Sequence, residues 1–454
     1  MSKKLPIIAI VGRANVGKSS LFNAILDRRE AIVAREAGTT RDSIMAKASY
    51  EGQDFWLVDT AGMKDAEDDF EFTIQEQILQ AADSADVIWV LVEADTTITE
   101  EDRRVAKLAL RSKKPVFLIV NKIDKARKLD LSGFDRLGIK PILHTSTTQH
   151  QGIGELLDTL IAVIPKANLT EDDDRLRIAL LGRPNVGKSY LFNTLAKKQQ
   201  AIVADRAGTT RDINRAVVKY LGREIEIMDT AGIRRSGKIE VGIEKFSVIR
   251  SLSAIEQADI CFLLIDSNDT SVQLDQKIAG MVKESGKGLV LVVSKWDIAE
   301  EKNAFTRDEL APKIAHEFDF VPWAPLIFTS SVTGQNVTKL FDLALEIDER
   351  RKQRMATSDL NRWLKSAVDA HPPAGLKNRA PKLNYIVQED DNPIPAFKIF
   401  GSQTKFLHWG YRRYLDRSLR EKYDYVGSPV QLWFIEKHIG HKHGQSPTKE
   451  INNK

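Results

Sequence analysis

The sequence predicts an α/β protein: two similar domains with mostly parallel sheets and helices on both faces, then a smaller α/β unit. Three observations predict it. Four segments recur at a constant offset of 170 residues. Within each copy, short continuous apolar runs alternate with longer helix-like stretches, the mark of strands buried on both faces. After about residue 352 the pattern becomes shorter and more basic.

The repeats are literal. Gly12-Arg-Ala-Asn-Val-Gly-Lys-Ser19 returns as Gly182-Arg-Pro-Asn-Val-Gly-Lys-Ser189, and Ala31-Ile-Val-Ala34 as Ala201-Ile-Val-Ala204. Ala37-Gly-Thr-Thr-Arg-Asp42 returns as Ala207-Gly-Thr-Thr-Arg-Asp212, and Asp59-Thr-Ala-Gly62 as Asp229-Thr-Ala-Gly232. Solenoid repeats span roughly 20–50 residues, so this longer period means a duplicated whole domain.

The first domain is expected over residues 1–166, with strands at Ile7–Val11, Phe55–Val58, Val87–Val92, Val116–Val120 and Ile142–His144. Residues 167–175 read as an exposed acidic linker, because the like charges of Glu171-Asp-Asp-Asp174 repel one another. The second domain is expected over 176–351, with strands at Arg177–Leu181, Ile225–Met228, Ile260–Ile265, Leu289–Val293 and Leu326–Phe328. Residues 352–439 form the small unit. A helix over Asp359–Asp369 stops at His371-Pro-Pro373, strands follow at Lys382–Val387 and Ala396–Phe400, then a helix over Trp409–Tyr423 and a strand at Val430–Ile435. Residues 440–454 are polar and aperiodic and read as a disordered tail.

Composition narrows the classes. The chain has 454 residues, 42% hydrophobic and 29% charged, which suits a soluble globular protein of two to four domains and excludes collagen, mucin-like stalks and wholly disordered chains. Cys261 is the single cysteine, so intrachain disulfides and multi-thiolate zinc sites are excluded; inside Ile260–Ile265 it reads as a small core residue. Apolar runs such as Val87–Val92 fall far short of the roughly 20 residues that cross a bilayer. Lys3-Lys4 and the apolar run after it imitate a leader, but no small-residue cleavage site follows, so a reducing cytoplasm is the simplest compartment. Residues 351–454 hold 19 Lys+Arg against 10 Asp+Glu, net +9, while residues 1–350 hold 48 against 53, net −5. A basic segment on an acidic body points to a polyanionic partner.

The chemistry lies in the repeats. Gly12, Arg13, Ala14, Asn15, Val16, Gly17, Lys18 and Ser19 fit the phosphate-loop pattern, as do Gly182, Arg183, Pro184, Asn185, Val186, Gly187, Lys188 and Ser189. Glycines let backbone N–H groups turn inward around phosphates, the lysine reaches the outer phosphates, and the serine ligates Mg²⁺. A helix N-terminus follows and favours the anion. Asp59 and Asp229 end apolar strands, where a carboxylate can hold Mg²⁺ or its ligands. Thr60, Ala61, Gly62 and Met63 follow the first, and Thr230, Ala231, Gly232 and Ile233 the second; the glycines can offer an N–H to a γ-phosphate. Thr40 and Thr210 are the candidates for closing on Mg²⁺, with Thr39 and Thr209 as rivals.

Asn121, Lys122, Ile123 and Asp124 identify the base. A carboxylate there accepts from N1–H and the 2-amino group of guanine, donors that adenine lacks, so the site selects GTP. Ser294, Lys295, Trp296 and Asp297 occupy the same place in the second copy. Asp297 keeps the selection, while Ser294 in place of Asn should lose a longer amide bridge and loosen the site. Trp296 either shields the base or packs. Ser146 and Thr147, and Ser330 and Ser331, would supply backbone contacts to guanine O6.

Two GTPase copies followed by a small basic domain resemble the EngA (Der) family of bacterial tandem GTPases, among the Era-like/TrmE-like phosphate-loop GTPases. Further matches are Gly232-Ile-Arg-Arg-Ser-Gly-Lys238, Ala370-His-Pro-Pro373, Tyr411-Arg-Arg-Tyr-Leu415 and Leu419-Arg-Glu421. The resemblance covers about residues 5 to 440. It implies a KH-like third domain and action in ribosome biogenesis, late in assembly of the large ribosomal subunit with its rRNA. The expected protein is cytoplasmic and monomeric, with no membrane or DNA partner. The alternative is a nucleotide-gated RNA-binding scaffold whose hydrolysis is incidental.

Many GTPases place a water-orienting Gln after Asp-x-x-Gly. Met63 and Ile233 stand there and hold no water. The resemblance implies that Asn15 and Asn185 help bind K⁺ beside the phosphates, joining Lys18, Lys188, Thr40 and Thr210 in catalysis; the plainer reading is that these Asn shape the loop turn. Arg41 and Arg211 are contributors or surface charges. Lys64-Asp-Ala-Glu-Asp-Asp69 and Arg234-Arg-Ser-Gly-Lys238 carry opposite charge, either as solvated loops or as parts of a nucleotide-driven shift. The third domain lacks the G-x-x-G backbone clamp of KH modules. Arg412, Arg413, Arg417, Arg420 and Lys422 on its second helix meet phosphates or form a solvated face.

Overall fold

Both repeats open on a strand that is almost wholly buried, and the rest of each sheet is laid down on either side of it. The computed structural model describes residues 5–27, 45–60, 81, 84–126, 131–164, 175–198, 214–230, 248–270, 273–299, 306–373, 375, 379–390, 392 and 394–436. The first repeat runs β1 (Ile7–Val11), α1 (Lys18–Leu26), β2 (Met45–Tyr50), β3 (Gln53–Asp59), β4 (Val87–Glu93), α2 (Glu100–Arg111), β5 (Val116–Asn121), β6 (Ile142–Thr145) and α3 (Ile153–Val163). Its six strands lie in the order β2-β3-β1-β4-β5-β6. All neighbours are parallel except β2 and β3.

The second repeat runs β7 (Leu176–Leu181), α4 (Lys188–Lys198), β8 (Asn214–Tyr220), β9 (Arg223–Asp229), α5 (Val248–Gln257), β10 (Ile260–Asp266), α6 (Gln273–Glu284), β11 (Gly288–Ser294), α7 (Thr306–Glu317), β12 (Leu326–Phe328) and α8 (Lys339–Lys352). Its sheet has the same order of equivalents, β8-β9-β7-β10-β11-β12. In both, the chain reverses its direction of travel across the sheet beside the opening strand. Open α/β sheets bind ligands at that switch point, beyond the carboxyl ends of the strands.

The ten strands expected in the repeats form, most of them longer by a residue or two. β2 and β8 were not expected. Neither has a continuous apolar run, since each is an antiparallel edge strand with one face half-open. A two-residue hairpin turn makes each of them. Glu51-Gly52 (φ 48° and 76°) and Leu221-Gly222 (φ 47° and 80°) take the left-handed pair that matches strand twist.

The chain divides into two compact units, Met1–Asp348 and Glu349–Lys454. Within the first, the two repeats share core. Val58 and Val90 belong to one apolar cluster with Leu252 and Ile255. Buried Glu256 on α5 joins them: its carboxylate accepts the Trp56 indole N–H at 2.8 Å and the Leu5 amide at 3.1 Å. Cys261 is buried in β10, as its surroundings imply.

The second unit has the expected α-β-β-α-β order: α9 (Thr357–Ala370), β13 (Lys382–Gln388), β14 (Ala396–Ser402), α10 (Trp409–Lys422) and β15 (Gln431–Glu436). β14 pairs antiparallel with β13 and parallel with β15. Leu360 and Leu364 of α9 and Leu415 and Leu419 of α10 cluster with Ile386, Phe397 and Ile399 of the sheet. No helix among the described residues is long and apolar enough to cross a membrane. Residues 167–174 of the acidic segment and the tail 440–454 lie outside the described residues.

Candidate functional site

β1 and β7 each deliver the chain to a phosphate loop. Gly17 and Gly187 have φ of 98° and 100°, left-handed values that suit glycine, and start α1 and α4. Asn15 and Asn185 are left-handed too, at 66° and 63°, a conformation Asn tolerates. A Cβ on Gly12 would lie 2.6 Å from the Leu91 carbonyl oxygen, and one on Gly182 2.6 Å from that of Leu264. The loops therefore press against the neighbouring strand, where a side chain has no room.

Buried lysines close both loops. Lys18 Nζ donates to the carbonyls of Gly12 and Arg13, both at 2.8 Å. Lys188 Nζ donates to those of Gly182 at 2.9 Å and Arg183 at 2.6 Å. Burial pulls the Lys18 pKa down, and the charges of Asp59 and Glu101 resist this. At the helix start, Ser19 Oγ donates to Asp59 Oδ2 at 2.5 Å, and Ser189 Oγ to Asp229 Oδ2 at 3.0 Å. A hydroxyl and a carboxylate side by side are hard oxygen donors that fit Mg²⁺. The next residues pin this corner: the hydroxyls of Thr60 and Thr230 donate to the carbonyls of Ile10 (2.7 Å) and Leu180 (2.9 Å). Thr39, Thr40, Arg41, Ala61, Gly62, Met63, the charged run 64–69, Thr209, Thr210, Arg211, Ala231, Gly232, Ile233 and the run 234–238 lie outside the described residues.

On the base side, one amide ties three elements in the first repeat. Asn121 Nδ2 donates to the Val16 carbonyl at 3.0 Å, and its Oδ1 accepts from Thr145 Oγ1 at 3.1 Å. Lys122 is left-handed and its ammonium reaches the Asn15 carbonyl at 2.8 Å and Glu93 at 2.5 Å. Asp124 accepts from Ser146 Oγ at 2.6 Å.

Ser294 departs from the expected loss. Its Oγ lies 2.7 Å from the Val186 carbonyl and 3.1 Å from that of Ile265, so the link to the phosphate loop survives in a shorter side chain. What is lost is the other half. Thr329 Oγ1 donates to the Val293 carbonyl at 3.3 Å, not to residue 294. Trp296 is buried edge-on to Phe328, ring centroids 4.7 Å apart, and packs. Ser146 and Ser330 shape the base loops, accepting the amides of Gln149 (3.2 Å) and Thr333 (3.1 Å).

Sequence reasoning missed the acids that hold the second loop residue. Arg13 Nη2 donates to Glu93 at 3.1 Å and Thr96 at 2.8 Å, and its Nε lies 3.4 Å from Asp102. Arg183 pairs with Asp269 at 2.7 Å and Asp275 at 3.0 Å. Burial pushes the Asp275 carboxyl up to about 6, while Arg183 draws it down. The only local signal is the capping box of Thr99 and Asp102, which reads as a helix start.

On α10, Arg412, Arg413, Arg417 and Lys422 are exposed. Arg420 is not part of that face: it ties Asp416 at 3.1 Å and the carbonyls of Tyr425 (3.1 Å) and Ser428 (2.9 Å).

Ser294→Ala leaves the buried Val186 carbonyl without its bridge. An unsatisfied buried acceptor costs about 1–3 kcal/mol. GDP affinity at the second site should fall roughly tenfold by calorimetry, with the first site unchanged. Asn121→Ser, which keeps the phosphate-loop link, should cost the first site less than this.

Comparisons with known proteins bear on this geometry. A family model described as "50S ribosome-binding GTPase" matches residues 7–122 and 177–295, and one described as "KH-domain-like of EngA bacterial GTPase enzymes, C-terminal" matches 354–434. "GTPase Der" of Herpetosiphon aurantiacus is 41% identical over 439 residues, 94% of this chain and 96% of that protein. "GTPase Der" of Chloroflexus aggregans is 42% identical over 439 residues, 94% and 97%. Among solved structures, a point variant of Aquifex aeolicus Era bound to GDP·AlF4⁻ is 22% identical over 57% of this chain and 92% of that one, TM-score 0.29. With two phosphate-loop repeats, the KH-like unit and relatives matched along nearly their whole length, the chain belongs to the EngA (Der) family of bacterial tandem GTPases.

Proposed function

We propose that both repeats, residues 1–166 and 176–351, bind GTP and GDP with Mg²⁺, and that the chain hydrolyses GTP as a switch in late assembly of the large ribosomal subunit. The observation that carries this reading is that one chain holds two loop-and-carboxylate sites and, after them in sequence, a basic KH-like unit. The matching family, described as 50S ribosome-binding GTPases, supports the choice of subunit. The protein would act as a cytoplasmic monomer.

In each site the nucleotide runs from the phosphate loop to the base loop. Asp124 and Asp297 take the two guanine donors. Lys18 and Lys188 meet the outer phosphates without leaving their loop carbonyls far behind. Ser19, Asp59 and Thr40, and Ser189, Asp229 and Thr210, would hold Mg²⁺, with Asn15 and Asn185 beside K⁺. When bound there, the cations would supply positive charge against the negative charge that develops during phosphoryl transfer. Met63 and Ile233 carry no side-chain amide that could hold the attacking water, so that help must come from elsewhere.

Asp124→Asn should move the first site from guanine toward xanthine, whose 2-oxo group accepts from an amide, and Asp297→Asn should do so at the second. Unchanged GTP affinity in both variants would refute the base contacts.

Hydrolysis should run faster in K⁺ than in Na⁺ at equal ionic strength, and Asn15→Ala or Asn185→Ala should shrink that difference at its own site. Equal rates in the two salts would leave these Asn as turn formers only.

Co-sedimentation with large ribosomal subunits tests the partner. Binding should be stronger with a non-hydrolysable GTP analogue than with GDP and fall linearly with log salt, at about −0.7 to −0.9 per neutralised phosphate. Arg412, Arg413 and Arg417 changed together to Ala should flatten that slope and leave isolated hydrolysis intact. An unchanged slope would make this helix a solvated face.

A further inference from the structure

Two sites in one chain can be compared position by position, and they differ at the rim. Nine large apolar side chains are exposed among the described residues. Three of them border the second site: Tyr190 (72% exposed), Ile298 (61%) and Val332 (76%). Tyr190 directly follows Ser189, Ile298 follows Asp297, and Val332 follows Ser331. The first repeat has Ser20, Lys125 and Thr148 at these places.

Tyr190 lies in the first turn of α4. One turn further, Thr194 Oγ1 reaches the Tyr190 carbonyl at 2.9 Å and the Ser331 carbonyl at 3.1 Å. Residues four apart share a helix face, so this face is the one turned toward the base loop. A nucleotide held by its phosphates at 182–189 and by its base at Asp297 lays its ribose across the interval between, beside that first turn. An aromatic ring this exposed removes little apolar surface from water on folding, so its stabilising effect on the fold is small. Aromatic rings pack on nucleosides without needing hydrogen bonds.

Resting on the proposed nucleotide binding, we infer that Tyr190 is a nucleoside-contacting residue of the second site. Its ring packs on the ribose and base edge of bound guanosine, Ile298 and Val332 extend the apolar rim, and together they slow nucleotide release. The first site, with Ser20 at this place, lets its nucleotide go faster. The contact also offsets the bond to the base loop that Ser294 does not make.

The test uses the full chain carrying Asp124→Asn, in which GDP reports the second site alone. Release of radiolabelled GDP is followed after a chase with unlabelled GDP. Tyr190→Ser should speed release about tenfold, the scale of one aromatic–nucleoside contact. Tyr190→Phe should stay within about twofold of the parent, because the ring and not the hydroxyl acts. In the reverse exchange, Ser20→Tyr on an Asp297→Asn background should slow GDP release from the first site, a gain that general loosening of the fold does not produce. Parent-like release from Tyr190→Ser overturns the inference, as does Tyr190→Phe releasing as fast as Tyr190→Ser. A parent that binds no GDP at all would instead refute the nucleotide reading of the second site, and this inference with it.

Discussion

Each phosphate loop depends on a buried ammonium folded back across its own backbone. Lys18 and Lys188 donate to the two carbonyls that open their loops. Glycines and a helix N-terminus beside that clasp let backbone N–H groups turn toward an anion. Desolvation works against the charge on Lys18 and nearby Asp59 supports it, so the arrangement favours an anion beside it. Everything around the loop keeps this clasp closed. Gly12 has no room for a Cβ against Leu91, and Gly17 has the left-handed backbone needed to start α1. β1 is held from both sides by β3 and β4, so the loop leaves from the interior of the sheet. The apolar core serves, in this sense, to fix a few polar backbone groups.

The two copies keep the backbone and vary the side chains. Left-handed residues match in pairs: 66° and 63° at Asn15 and Asn185, 98° and 100° at Gly17 and Gly187, 62° and 57° at Lys122 and Lys295. Around that constant frame the bonds differ. Asn121 links two loops where Ser294 links one. Lys122 reaches Glu93 and the loop carbonyl of Asn15, while Lys295 pairs with Asp266. Phosphate binding depends on backbone geometry and tolerates little change, whereas nucleotide affinity and release rates can be set by side chains at the rim.

How much of this was legible in the sequence follows from range. Central strands are continuous apolar runs, so Ile7–Val11 or Leu326–Phe328 could be read within their own few residues. Edge strands β2 and β8 could not, because half of each faces outward and only the Glu51-Gly52 and Leu221-Gly222 turns gave them away. Loop residues with fixed spacing were readable, and Ser19–Asp59 and Ser189–Asp229 come together as that spacing implies. The partners of Arg13 and Arg183 were not, since Glu93, Asp102, Asp269 and Asp275 arrive from segments about 80 to 90 residues along the chain. The Trp56–Glu256 bond, joining residues 200 apart, belongs to the packing of one repeat on the other and has no local signal. For Ser294 half of the expected loss is found: the hydroxyl, at a strand end this close to the phosphate loop, still touches it, while the link to Thr329 is gone.

The basic unit shows why charge alone is a poor measure of a binding surface. Its excess is +9, yet the charges on α10 are not equivalent. Arg420 is held by Asp416 and two carbonyls and serves the fold. Arg417 is exposed beside Glu421 at 2.9 Å, a surface pair that contributes little and whose carboxylate offsets part of its field. Arg412 and Arg413 stand apart from these, because each guanidinium lies over a ring, Phe434 at 4.9 Å and Trp409 at 5.1 Å. A stacked guanidinium keeps its edge donors for a phosphate and has already lost much of its rotamer freedom. Ordering costs that oppose association are then smaller for these two than for an exposed lysine such as Lys422. Any attraction of this helix for a polyanion would therefore rest more on two pre-oriented arginines than on the sum of its charge.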